Sequence, residues 1–146
     1  TPPLDQDLEI TGRLVVKLWV SSSAPDTDFT VKLVDVYPPC EAWPRGFAMN
    51  VTDGIFRVRY REGWDREAFM EPGRIYRIRV CPSATSNRFR AGHRLRVDVS
   101  SSSYPQFDLN PNTGGAQGGR DRPRVATNRV HCGGAQASCI RLTVMP

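Results

Sequence analysis

Long apolar runs are missing from this chain. No stretch of its 146 residues approaches the ~20 consecutive apolar positions that a membrane-crossing helix needs, so no membrane partner is expected. The start, TPPLDQDLEITG, has neither a basic n-region nor an apolar h-region and does not read as a signal peptide. Lysine is almost absent, limited to Lys17 and Lys32, so the net charge of +5 and the pI near 9.4 are carried by arginine. Basic blocks interleaved with stacking aromatics do not occur, which argues against nucleic acid and for a solvated basic surface. There is no C-x-x-C pair, and His93 and His131 stand at no zinc-site spacing, so no metal and no cofactor is expected. Also missing is the G-x-S-x-G elbow on which an α/β-type serine hydrolase mounts its nucleophile. The serines gather instead at Ser21-Ser22-Ser23 and Ser100 to Ser103 without flanking glycines. Neither histidine has a spacing that suggests a nucleophile–base pair, and both are read as structural hydrogen-bonding residues.

What is present is strand. Apolar residues recur at period two between clusters of Gly, Pro, Ser and Asn. Leu14, Val16, Leu18 and Val20 share one face of 13–20, and Phe29, Val31 and Leu33 one face of 29–37. Further strands are expected over 46–52, 55–61, 74–81 and 94–100. A final hairpin, 125–132 with 140–145, is expected around the glycine-rich turn. Seven or eight strands with little helix imply an all-β sandwich or jelly roll, built as one domain over 1–146. WDREAFM (64–70) is the one helical candidate, and the polar, glycine-rich stretch 101–123 is too long for a plain hairpin connection.

Four cysteines remain, Cys40, Cys81, Cys132 and Cys139. Cys132 and Cys139 flank GGAQAS and are disulfide candidates across the expected hairpin; Cys40 with Cys81 would close a longer loop. Pairing would favour a secreted or periplasmic location, with which the sequon Asn50-Val51-Thr52 is compatible. Asp26, Asp28 and Asp108 sit at turns, where carboxylates accept backbone N–H bonds or ligate a hard cation; turn closure is the expected role. Arg57, Arg59 and Arg61 alternate with Phe56, Val58 and Tyr60, as Arg77 and Arg79 do with Tyr76, Ile78 and Val80. Arg94 and Arg96 repeat the pattern. Each run is read as a strand with an apolar inner face and an arginine outer face, either solvated or turned to acidic groups of another domain.

The strings LWVSSSAPDTDFTVKLVDVYP, NVTDGIFRVRYRE, EPGRIYRIRV, TSNRFRAGHRLRVDVSSSSYPQFDLNPNTG and ATNRVHC occur in this order. Together they resemble the C-terminal domain of the X-Pro dipeptidyl-peptidase and cocaine esterase (CocE/NonD) hydrolases over nearly the whole chain. The resemblance implies a galactose-binding-like jelly roll, the C-terminal part of a larger hydrolase. Its partners would be an α/β-hydrolase domain, with a Ser-Asp-His triad, and a helical cap of the same parent chain; a homo-oligomer is also compatible. No catalytic residue carries over. By analogy, SSAPDTDF and SSSYPQFDLNPNTG become interdomain loops, with Asp26, Asp28, Phe29, Tyr104, Phe107, Asp108, Asn110 and Asn112 as contact candidates. Cys40, Cys132 and Cys139 depart from the family pattern. The function implied is a non-catalytic accessory domain; the alternative is a stand-alone carbohydrate-binding module using Trp19, Trp43 and Trp64 as a platform.

Overall fold

A computed structural model describes residues 1–116, 119 and 121–146. The stretch 101–123 therefore falls partly outside the described residues. Among the described residues nine strands occur: β1 (Leu8–Gly12), β2 (Val15–Ser22), β3 (Asp28–Tyr37), β4 (Phe47–Arg57), β5 (Tyr76–Val80), β6 (Thr85–Phe89), β7 (Arg94–Ser100), β8 (Asn128–His131) and β9 (Cys139–Arg141). They form three antiparallel sheets: β1 with β6; β5, β2 and then β8 and β9; and β4, β3 and β7. No helix is long and apolar enough to cross a membrane.

The period-two pattern does what it implies. Val16, Leu18 and Val20 of β2 meet Phe29 and Val31 of β3 and Ile78 and Val80 of β5 in one core. Ile10 and Phe89, from the β1–β6 pair, cover Leu33 and Leu95 in a second. Each such side chain contributes roughly 1.5–3 kcal/mol on full burial. The result is the expected β-sandwich, with three elements read differently by the structure.

First, 46–52 and 55–61 are not two strands. β4 runs continuously from Phe47 to Arg57 and pairs with β3 along its whole length, with Val51 as the extra residue of a bulge between Leu33 and Val34. Gly54, which punctuates the sequence like a turn, is needed for a close approach: a Cβ there would stand 2.9 Å from Cα of Pro82. Beyond Arg57 the chain turns into a 3-10 turn, Val58–Tyr60. Second, 125–132 and 140–145 make no hairpin. β8 lies beside Trp19–Ser22 and β9 beside Val15–Lys17, so both extend along the same edge of β2. Third, 64–70 forms turns and no helix. Its amides are drawn elsewhere: Ala68 N–H donates to Arg59 O and Met70 N–H to Pro25 O, both at 2.7 Å. Strands β1 and β6, absent from the sequence expectation, are short and mostly polar, with Glu9 opposite Arg88 and Thr11 opposite Ser86.

Candidate functional site

The strongest polar constellation lies where the start of β3 meets the turn after β4. Pro25-Asp26-Thr27-Asp28 leads into β3, and Asp28 stands opposite Arg57 in the ladder. That register lets Arg57 donate twice, from Nε to Asp28 Oδ1 and from a terminal nitrogen to Oδ2, each at 3.0 Å. One turn on, the 3-10 geometry swings Arg59 inward. Its backbone N–H donates to Asp26 Oδ1 at 3.1 Å, its Nε to Asp26 Oδ2 at 2.8 Å, and its far nitrogen to Glu67 at 2.9 Å. Arg59 is 2% exposed and Asp26 and Asp28 are 0% and 1% exposed. Two buried carboxylates thus face two guanidinium groups, Asp28 gripped by Arg57 in bidentate geometry and Asp26 by the side chain and backbone N–H of Arg59 together, so the contacts offset desolvation.

Asn110 completes the cluster from the long stretch. Its side-chain N–H groups donate to Asp26 Oδ2 and Asp28 Oδ1, both at 2.8 Å, and its oxygen accepts from the N–H of Asn112. Asn112 adopts a left-handed conformation at φ 62°, which asparagine tolerates better than most residues, and holds Arg124 O through its amide. The charges respond as the contacts dictate. Hydrogen bonding to Asp28 raises the affinity of Arg57 for its proton. Burial works against the charge on Arg59, yet the bonds it donates to Asp26 and Glu67 outweigh it and its pKa is also raised. Glu67 is held below the ordinary carboxylate value by the hydrogen bond from Arg59.

Above this base lies a continuous concave surface. A cleft of about 240 Å³ is lined by Asp28, Arg57, Tyr60, Trp64, Phe107 and Asp108. It shares Arg57 and Asp108 with a neighbouring cleft of about 290 Å³ beside Asn110. Tyr60 and Trp64 extend it toward Arg61, Arg77 and Arg79. Trp64 is 74% exposed, with its ring 5.7 Å from Tyr60 and 5.8 Å from Phe56.

Of the contact candidates, Asp26, Asp28, Asn110 and Asn112 come together, and Phe107 and Asp108 line the cleft. Asp26 and Asp28 are too buried to meet a partner directly and act as its base, tied to arginines instead of merely closing a turn. Phe29 belongs to the core at 2% exposure, because the alternation of β3 turns it inward with Val31. Tyr104 is 71% exposed and does not line the cleft. Tyr60 and Glu67 were not among the candidates, Trp64 entered only as part of a sugar platform and Arg57 and Arg59 only as an outward face, although DTD followed by FRVRYRE holds matched charges. The outward arginine face fails for Arg57, Arg59 and Arg61, whose side chains are largely buried, and holds for Arg77, Arg79, Arg94 and Arg96, which are exposed. All four cysteines are free and exposed, and Cys132 and Cys139 line one shared groove.

The histidines need separate treatment. His93 Nδ1 meets Asp35 Oδ1 at 2.9 Å in a buried pair beside Tyr37, while Asp35 Oδ2 has no hydrogen-bond partner among the described residues. His131 Nε2 lies 3.1 Å from Ser21 Oγ. A hydroxyl and an imidazole in contact are two parts of an acyl-transfer site, yet the other parts do not accompany them. Ser21 sits within β2 at 3% exposure, neither residue lines the clefts described, and no carboxylate orients the His131 ring among the described residues. Nucleophilic catalysis needs that third group and an open approach for substrate. Among the described residues, no group of three or more His, Cys, Asp or Glu side chains is placed to hold a metal ion.

Comparison with known proteins gives this arrangement its context. The chain is 44% identical over 99% of its length to the cocaine esterase of Rhodococcus sp. (strain MB1 Bresler), but spans 25% of that protein. Among solved structures it superposes on an aminopeptidase from a marine sediment Thaumarchaeota archaeon with a TM-score of 0.93 and 31% identity, covering 100% of this chain and 25% of that one. An α-amino acid ester hydrolase follows at a TM-score of 0.89 and 34% identity, over 99% of this chain and again 25% of the other. With residues 1–141 matching the model of the X-Pro dipeptidyl-peptidase C-terminal non-catalytic domain, the chain belongs to that family.

Proposed function

We propose that this domain is the accessory C-terminal part of a serine hydrolase acting on ester or amide bonds. In this reading it docks on an α/β-hydrolase domain and its cap and shapes one wall of the substrate entrance. The carrying observation is the contrast within one site. Asp26, Asp28, Arg57, Arg59 and Asn110 form a neutralised, buried base, and directly above it stands a cleft with an exposed tryptophan. A rigid polar base under exposed aromatics is what an anchored contact surface requires, because tryptophan, tyrosine and arginine carry most binding energy at interfaces. The relatives' names, an esterase, an aminopeptidase and an ester hydrolase, give the chemistry that the remainder of such a chain performs.

The experiment is Trp64→Ala in the full hydrolase chain. Since Trp64 is 74% exposed, its loss should change the stability of this domain by no more than about 0.5 kcal/mol. Docking should weaken by roughly 2 kcal/mol, read as a lower melting midpoint of the catalytic domain and a raised KM. Unchanged values for both would sink the docking face. Sugar binding is the second reading, favoured by the stack of Trp43 on Phe47 at 4.9 Å, with Trp43 51% exposed. Robust glycan-array binding lost in Trp43→Ala would replace the first reading with it.

A further inference from the structure

The outer face of the sheet built around β2 carries cations without counterions. Val16, Leu18 and Val20 form the inner row of β2, so Val15, Lys17 and Trp19 point outward. Residues directly opposite each other in a ladder share a face. Arg79 of β5 and Cys139 of β9 both stand opposite Lys17, one on each side, and Arg141 of β9 stands opposite Val15. Lys17, Arg79 and Arg141 therefore hold neighbouring outward positions around Cys139. The remaining paired positions on this face bring Arg77 beside Trp19 and Arg129 beside Ser21. None of them is a carboxylate.

Other strand arginines have their own counterion. Arg57 meets Asp28 at 3.0 Å, Arg88 meets Asp7 at 2.7 Å and Arg96 meets Asp98 at 2.9 Å. Among the described residues, Lys17, Arg79 and Arg141 make no ion pair and no side-chain hydrogen bond. Like charges directly opposite in a ladder repel, so the Lys17–Arg79 pair gains nothing from the fold itself. What the three cations share is a pocket of about 100 Å³, lined by Val15, Lys17, Arg79, Cys139 and Arg141. Sites for drug-sized ligands span roughly 300–1,000 Å³, so this one admits a single small group.

We propose that the pocket binds the phosphoryl group of a small soluble phosphate or phosphate ester. A guanidinium fork matches oxyanion geometry with paired N–H donors, and an ammonium adds a point charge. A carboxylate would bring one negative charge to three positive ones. A phosphoryl group brings about −1.5 to −2 near neutral pH and three acceptor oxygens. Bound between Lys17 and Arg79, with Arg141 closing from β9, it also removes their mutual repulsion. The site does not depend on the chain being a hydrolase.

Cys139 lets the site report on itself, because its exposed thiol belongs to the pocket lining. The test is alkylation of the full chain with iodoacetamide, a neutral reagent, followed at each cysteine by peptide mass mapping. Chloride holds the ionic strength constant. Inorganic phosphate at ten times its dissociation constant should slow alkylation of Cys139 about tenfold, the share of sites left empty. Cys40, exposed and outside this pocket, should react at an unchanged rate. Glycerol phosphate should protect in the same way. Half-protection should need about tenfold more phosphate or greater in Lys17→Met and in Arg141→Met, because each removes a charged hydrogen-bond donor. Lys17→Arg should stay within about threefold of the parent, since it keeps the charge. Equal Cys139 rates with and without phosphate overturn the proposal, as does protection that survives in both Met variants. Chloride protecting as well as phosphate overturns it too, because the face would then only gather counterions. Protection by vesicles containing phosphatidic acid, but by neither soluble phosphate, replaces it with a membrane contact.

Discussion

FRVRYR and YRIRV are near copies as sequence and opposites as structure. In the second, Arg77 and Arg79 stand exposed on the outer face of β5, with Arg79 directly opposite Lys17 and Arg77 above the ring of Trp19 at 6.0 Å. In the first, Arg59 is among the most deeply buried large side chains of the molecule. The alternation is the same; the neighbours are not. β5 lies beside a strand bearing lysine and tryptophan, whereas the end of β4 lies beside a buried Asp-Thr-Asp. Two carboxylates without partners cannot be buried cheaply, so the chain abandons the strand at Val58 and delivers Arg59 to Asp26. Periodicity tells which side a residue faces only while the strand lasts.

The sharpest way to break this comparison is to remove one member of the buried pair. Arg59→Met or Asp26→Leu alone should cost about 3–5 kcal/mol in denaturant unfolding, because each strands a buried charge. The double variant should recover much of that loss. Losses that simply add would contradict a coupled pair. Next in size is Asn110→Ala, expected to cost about 1–3 kcal/mol, since it strips a donor from both Asp26 and Asp28. Acid titration sharpens the same contact: Arg59 depresses the pKa of Glu67. The stabilisation is thus complete above the ordinary value of 4.5 and is lost as pH falls through the lower, folded value. Glu67→Gln should flatten that part of the stability–pH curve and leave it unchanged near neutrality. Smallest is the control on the other run: Arg79→Ala should change stability by no more than about 0.5 kcal/mol.

Against these expectations, the sequence was legible wherever burial alone decides. Val16, Leu18 and Val20, Phe29 and Val31, and Ile78 and Val80 occupy one core and Leu33 the second, each buried as its spacing assigns. It was illegible where tertiary contacts overrule local pattern. Gly54 reads as a turn because nothing local reveals Pro82 above it. Cys132 and Cys139 read as a hairpin pair because nothing local reveals that both flanking strands lean on β2. Residues 64–70 lose their helix to the carbonyls of Arg59 and Pro25 and to the guanidinium of Arg61, which holds the carbonyls of Ala68 and Phe69. For the site, the DTD and DLNPN segments were recognisable as special, but their arginine partners were assigned to the opposite face.

The central claim is that these strands support chemistry located elsewhere, and Ser21 beside His131 is where it is most exposed to failure. The direct measurement is intact-mass analysis of the 146-residue chain after incubation with a fluorophosphonate, alongside turnover of a p-nitrophenyl ester. The account predicts no adduct and no turnover above buffer. A stoichiometric adduct on Ser21, abolished in Ser21→Ala together with ester hydrolysis, would contradict it.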